Sequence, residues 1–321
     1  MPRREVRLQA PLTERAAGIR VTAKVKLVGG GILAISNLIC AGGALGVNQP
    51  APTPDSSGVL MEQQPAEMRV RFLPGALPVV QGTIGGRPGL NIMIDTGTSP
   101  TVVDAKLAAS LGLETFRATL QVFDGTLSVP GVSIPEIRLG PIHKREVAAV
   151  VRDLSYFKRD YGLAIAAIVG LDVIGELSFR LDYRSRHLIF GSVVAHGIAI
   201  PADADWPFAV ASVTMRKQEL RLLVDTGAAG LVLFGRRVDT RGMGFERVQR
   251  GSAENLGGRT RAAIARDLNM VIQGKHVHAQ TGFLVHDDGG MSGFDGLLAI
   301  GTLGFRALSY DRASRTLYLE R

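Results

Sequence analysis

The chain has 321 residues, 46% of them apolar, 6% aromatic and 39 glycine, a composition that fits one large or two ordinary packed domains of short strands and turns and excludes a disordered chain. Its net charge of +8 divides unevenly: residues 1–26 hold seven basic side chains against Glu5 and Glu14, and the +3 left for the remainder is too weak a footprint for nucleic acid. The single cysteine, Cys40, excludes an internal disulfide framework and any multi-cysteine metal site.

Residues 27–47 carry no charge and follow the basic segment 1–26 directly. A basic leader, an apolar core and then small residues make the pattern of an export signal cleaved near Ala44 or Gly46, or of a membrane anchor. Either places the rest of the chain outside the cytoplasm, as a periplasmic or extracytoplasmic protein. Residues 48–70, rich in Pro, Gln and Ser, read as a tether.

Short apolar runs punctuated by glycine begin at about residue 71. Val79–Ile84, a Gly-rich turn and Leu90–Ile94 predict a hairpin whose second strand delivers Asp95-Thr96-Gly97-Thr98. Thr101-Val102-Val103 reads as a strand, and Asp104 is placed to cap a short helix ending at Leu111-Gly112. The same order returns 130 residues on: Val210–Thr214, a polar turn, then Leu220–Val224 delivering Asp225-Thr226-Gly227-Ala228. The matching second-half helix would fall on Arg236–Arg241, where Val238 and Thr240 are poorer helix formers.

The ends of the halves repeat as well. Ile168-Val169-Gly170 is followed by a strand, Asp182 and Ser185-Arg186, and Leu298-Ala299 by a strand, Asp311 and Ser314-Arg315. Alternating apolar strands alone would not hold register over such a distance, so the chain reads as a duplicated unit. One lobe spans 71–191, a connection 192–208, and the second lobe 209–321. Asp182 and Asp311, at the final strands, read as turn residues.

These motifs resemble the aspartic peptidases of the pepsin and retropepsin type, particularly the bacterial retropepsin-like aspartyl protease families. The resemblance runs from about Leu77 to the C-terminus. It implies an all-β fold of two tandem β-barrel lobes with pseudo-twofold symmetry and one short helix each. It further implies that the paired turns meet at the floor of a peptide-binding cleft. Two features depart from the pattern. Ala299 stands where the second half should carry the counterpart of Gly170, so backbone packing beside Asp225 is expected to differ. Neither presumed flap, one around Asp124 and Gly125 and the other around Gly257 and Gly258, carries the tyrosine of pepsin-like flaps.

The chemistry explains why such a site wants these residue types. One carboxyl must activate water while another protonates the substrate carbonyl oxygen and then the leaving nitrogen. Two carboxyls held about 3 Å apart cannot both ionise and share one proton, the established behaviour of aspartic proteases. Asp95 and Asp225 are the expected catalytic pair, supported by Thr96, Gly97, Thr98, Thr226, Gly227 and Ala228. No cofactor or metal is expected. The expected partner is a polypeptide, with no nucleic acid, and with a membrane only through 27–47. The catalytic unit is expected to be monomeric and to have an acidic optimum. Two rival readings are a noncatalytic peptide-binding module with the same lobes and a dyad formed across two chains.

Overall fold

The computed structural model describes residues 66–321 apart from 123–124, 192, 194–195, 203–207, 242, 244–248 and 286–292. The basic segment, the apolar stretch 27–47 and the tether up to residue 65 therefore lie outside the described residues. Among the described residues no helix is long and apolar enough to cross a membrane.

The first half opens with β1 (Ala66–Arg69), β2 (Arg71–Leu73), β3 (Leu77–Ile84) and β4 (Arg87–Ile94). β3 and β4 form the expected hairpin around Gly85 and Gly86, whose φ of 54° and 75° glycine adopts without strain. β5 (Thr101–Asp104) runs into α1 (Ala105–Ser110). Asp104 caps this helix, its Oδ1 accepting the N–H groups of Lys106 and Leu107 at 3.0 and 3.3 Å. Its other oxygen accepts Leu154 N–H at 3.1 Å, so one carboxylate ties the helix start to a distant segment. Gly112 ends the helix with φ of 63°.

β6 (Thr115–Val122), β7 (Gly125–Leu139), β8 (Ile142–Arg152), α2 (Ser155–Tyr161), β9 (Ala167–Val169), α3 (Leu171–Ile174), β10 (Phe179–Asp182) and β11 (His187–Phe190) complete the half. The second half runs through β12 (Ile198–Pro201), β13 (Val210–Met215), β14 (Gln218–Asp225), β15 (Leu231–Phe234), β16 (Gln249–Asn255), β17 (Gly258–Ile272), β18 (Lys275–Val285) and β19 (Gly296–Ala299). A 3-10 turn over Ile300–Thr302 then leads to β20 (Ala307–Asp311) and β21 (Thr316–Glu320).

Duplication is visible strand by strand. One sheet is ordered β2-β3-β4-β9-β5-β8-β7-β6 and the other β13-β14-β19-β15-β18-β17-β16, identical but for the added β2. Even the mixture of directions repeats, with parallel β4–β9 and β5–β8 matched by parallel β14–β19 and β15–β18. The extra pairings β3–β7 and β13–β17 bend each sheet toward a barrel.

A third sheet, ordered β1-β11-β10-β20-β21-β12, joins the lobes. Its central pair is antiparallel and sets Arg180 opposite Ser309. These two residues are repeat equivalents 129 positions apart, so the pseudo-twofold axis passes between them. Asp182 and Asp311 occupy matching turns. Asp182 Oδ1 accepts the N–H groups of Arg184 and Ser185 at 2.9 and 2.7 Å, and Asp311 accepts Ala313 N–H and the Ser314 hydroxyl at 3.1 and 2.7 Å. Arg186 and Arg315 follow with left-handed φ of 64° and 51°, which accounts for the shared spacing.

Three expectations need correction. Residues 66–69, read as tether, form β1 on the edge of the joining sheet, with Met68 packed on the core beside Phe190. The connection 192–208 contains β12, which pairs with β21 at the opposite edge. Among the described residues the lobes do not carry one short helix each. The first holds α1, α2 and α3, and residues 236–241 in the second form turn and coil where described. There Asp239 accepts the N–H of Arg241 at 3.0 Å, a local turn that competes with helix.

At the joining sheet Arg180 contacts Glu320 and reaches Asp182 at 3.3 Å, while the Ser309 hydroxyl donates to Glu320 at 2.8 Å. Burial pushes the Asp182 and Glu320 carboxyls up. Hydrogen bonds from Ser185 and Arg180, with the Arg180 charge, outweigh it and hold both below their ordinary values of 3.8 and 4.5. With folded values depressed, their stabilisation is complete above the unfolded values and is lost as pH falls through them. Glu320→Gln should cost about 1–3 kcal/mol at neutral pH. That difference should shrink below pH 4, as read by thermal unfolding across a pH series.

Candidate active site

β4 and β14 each end by feeding an Asp-Thr-Gly loop into the interior between the lobes. Ile92, Met93 and Ile94, like Leu222, Leu223 and Val224, are fully buried, so each strand is anchored on both faces and its last residue is held in place. Asp95 and Asp225 are themselves 0% exposed. Parallel pairing fixes the loop bases, with Asp95 N–H donating to Val169 O at 2.9 Å and Asp225 set against Ala299.

The two loops are held head to head by their threonines. Thr96 Oγ1 donates to Val224 O at 2.8 Å and accepts Thr226 N–H at 3.2 Å. Thr226 Oγ1 donates to Ile94 O at 3.0 Å and accepts Thr96 N–H at 3.1 Å. Each hydroxyl is therefore used as donor and acceptor across the axis, inside the protein, where an unmade bond is costly. Gly97 lies directly on the opposite carboxyl: a Cβ there would stand 2.8 Å from Asp225 Cγ. Only glycine allows that approach.

The carboxyls are oriented unequally. Gly97 N–H donates to Asp95 Oδ1 at 2.9 Å, as Gly227 N–H does to Asp225 Oδ1 at 2.7 Å. Thr98 Oγ1 adds a bond to Asp95 Oδ2 at 2.9 Å, whereas Ala228 has no hydroxyl and is buried in the apolar core of its own lobe. The structure thus brings Asp95, Thr96, Gly97 and Thr98 together with Asp225, Thr226, Gly227 and Ala228.

The described residues of the two expected flaps sit at the ends of hairpins. Gly125 pairs with Val122 at the end of the β6–β7 hairpin, and Asp124 lies outside the described residues. Gly257 and Gly258 form the end of the β16–β17 hairpin, where Asn255 Oδ1 accepts Gly257 N–H at 2.6 Å.

Departure from symmetry is sharpest beneath the loops. A Cβ on Gly170 would stand 1.8 Å from Thr98 O, so this position must be glycine. Its counterpart Ala299 is buried and extended, with φ of −76° and ψ of 91° against −102° and −165° for Gly170. The different exit angles lead into α3 in one lobe and the 3-10 turn in the other.

Two residues near the loops were not singled out as site residues from the sequence. Asp172, in α3, accepts the N–H and hydroxyl of Thr101 at 2.9 Å and the N–H of Gly170 at 3.1 Å. Burial pushes its carboxyl up against those bonds and the Lys144 charge. The Gly-x-Asp spacing after β9 was its available signal, since its position in the second lobe is Gly301. Tyr183 stacks on Phe72 with ring centroids 5.2 Å apart, and its hydroxyl is buried without a hydrogen-bond partner among the described residues. Burial, then the Asp225 charge, pushes its pKa well above the ordinary value.

Residues 80–173 match the aspartyl protease family model. The likeness read from the motifs holds over this stretch. Among solved structures, the chain is similar to an aspartic proteinase from Irpex lacteus, with 11% identity, 80% of this chain and 97% of that chain covered, and a TM-score of 0.49. No match to a curated protein was found.

Two substitutions test the geometry. Thr96→Val strands the Thr226 N–H and the Val224 carbonyl, and should cost about 2–4 kcal/mol in denaturant unfolding while Thr96→Ser costs far less. Gly170→Ala should cost about 3 kcal/mol or more, because the added methyl meets backbone. The mirror change Ala299→Gly should cost only about 1 kcal/mol.

Proposed function

We propose that this chain is an aspartic endopeptidase that hydrolyses peptide bonds with a water activated between Asp95 and Asp225. The observation that carries the reading is the reciprocal threonine lattice, which sets two buried Asp-Thr-Gly loops against each other about one axis. The aspartyl protease match over residues 80–173, which include Asp95, supports it.

In this reading the ionised carboxyl takes a proton from water as the water oxygen attacks the peptide carbonyl carbon. The protonated carboxyl gives its proton to the carbonyl oxygen. Collapse of the resulting gem-diol breaks the C–N bond as one of its hydroxyls returns a proton to the carboxyl that had donated one, and the proton gained from water passes from the other carboxyl to the leaving nitrogen. The Thr98 hydroxyl stabilises negative charge on Asp95, and Ala228 gives Asp225 no such bond. In this reading that bond favours the ionised form of Asp95, and the two carboxyls titrate as one unit. The basic and apolar pattern of residues 1–47 extends the proposal to peptides met outside the cytoplasm.

A peptide-library digest across a pH series tests the reading. Asp95→Asn and Asp225→Asn should each lower kcat/KM by about 100- to 10,000-fold, the scale of a lost general acid or base. Cleavage that survives either substitution would end the dyad assignment.

A further inference from the structure

Tyr183 is a first-lobe residue that packs against the second lobe beneath the Asp225 loop. It follows β10, and its N–H donates to Arg306 O at 2.9 Å across the joining sheet. Its ring stacks on Phe72, and a Cβ on Gly301 would stand 3.1 Å from its Cε1. Gly301 lies two residues past Ala299, the parallel partner of Asp225. The first lobe makes a further contact at the same place: a Cβ on Gly301 would also stand 2.6 Å from Ala76 Cβ, and one on Gly75 would stand 2.3 Å from Ala229 Cβ. The first half is built differently at the equivalent position. There the counterpart of Gly301 is Asp172, whose carboxyl is engaged by Thr101 and Gly170, and the counterpart of Tyr183 is Arg312, which is exposed. The missing side chain at 301 is what gives the Tyr183 ring its place.

The hydroxyl at the end of that ring has no part in the mechanism above, and it is buried without a hydrogen-bond partner among the described residues. Buried polar groups of this kind are rare and call for a physical reason. A phenol proton can reorient, so it turns toward the strongest negative field within reach. Burial first, and then the Asp225 charge, hold this phenol protonated, so Asp225 supplies that field. The other charges around the ring are engaged elsewhere. Arg186 lies over the Phe72 ring at 5.9 Å, and Asp182 accepts the N–H groups of Arg184 and Ser185 and faces Arg180 and Arg306. Asp95, across the axis, accepts Gly97 N–H and the Thr98 hydroxyl, and the 3-10 turn Ile300–Thr302 carries no titratable side chain.

We infer that Tyr183 is a positioning residue for the carboxyl pair: its hydroxyl turns its proton toward Asp225 from beneath the loop and stabilises the negative charge that the pair shares. This rests on the dyad reading for the use made of that charge. Thr98 serves the Asp95 side by a direct bond, and Tyr183 serves the Asp225 side through space. A donor that favours the ionised form lowers a carboxyl's pKa, so its removal raises the lower apparent pKa of the pair.

The test uses the full chain with aspartate labelled at the carboxyl carbon and titrated by NMR, the Asp225 signal being identified by its loss in Asp225→Asn. Tyr183→Phe keeps the ring and removes the hydroxyl. It should raise the lower apparent pKa of the pair by about half a unit to one unit, a roughly three- to tenfold change in the ionisation constant, with a thermal midpoint near that of wild type. Tyr183→Leu removes ring and hydroxyl together and should give the same shift with a lower midpoint, because the shift follows the hydroxyl and stability follows the ring. The phenylalanine variant carries the test if the leucine variant does not fold. A titration that Tyr183→Phe leaves in place overturns the inference, because the residue would then act through packing alone. Peptide cleavage over the same pH range is read separately, and where it occurs the acid limb of kcat/KM should move to higher pH by the same amount. Wild-type cleavage with an unmoved titration removes the role of Tyr183 and leaves the peptidase. A raised titration in a protein that cleaves no peptide does the reverse.

Discussion

Everything near the candidate site depends on two hydroxyls. Thr96 and Thr226 each bridge the two loops with one donated and one accepted hydrogen bond, and through them the carboxyls that precede them are set in place. Buried polar groups of this kind are costly unless fully paired, and here all four bonds are made. The glycines matter because they let the loops come close enough for that pairing, as the approach of Gly97 to Asp225 shows. The lobe sheets hold the strand ends still. The joining sheet holds the lobes still. Both serve a geometry that tolerates little displacement.

Symmetry organises this arrangement without completing it. The strand orders of the two lobes agree, and so do the turn carboxylates and the left-handed arginines after them. Beneath the loops the halves diverge, with Gly170 against Ala299 and Asp172 against Gly301. Divergence of this kind lets equivalent carboxyls acquire different surroundings, and chemistry that needs one acid and one base benefits from the difference. Thr98 beside Asp95 is the clearest case, because its partner Ala228 is turned over to core packing.

Much of this was legible in the sequence because it is local. Asp104 announces its helix through short-range hydrogen bonds to Lys106 and Leu107, and Asp182 and Asp311 announce their turns in the same way. The paired loops were legible because the repeat kept register. Contacts between distant segments were not. β1 and β12 are strands only because β11 and β21 offer them edges, and segments of four residues carry too little pattern to declare it. Leu256 looks like one apolar residue in a glycine-rich turn, and its burial belongs to the other lobe. The missing second helix shows the opposite balance, since a weak former with Val238 and Thr240 gives way to the turn at Asp239.

The seam on the axis has a consequence for how the halves choose each other. Arg180 faces Ser309 there, its own repeat equivalent. Were two copies of the first lobe to join through the same edge, Arg180 would face Arg180, and each would lack the Glu320 carboxylate that now receives it. Like charges directly opposite on paired strands are destabilising. The arginine thus acts as a key against self-pairing: it makes the first lobe a poor mate for itself and a good one for the second.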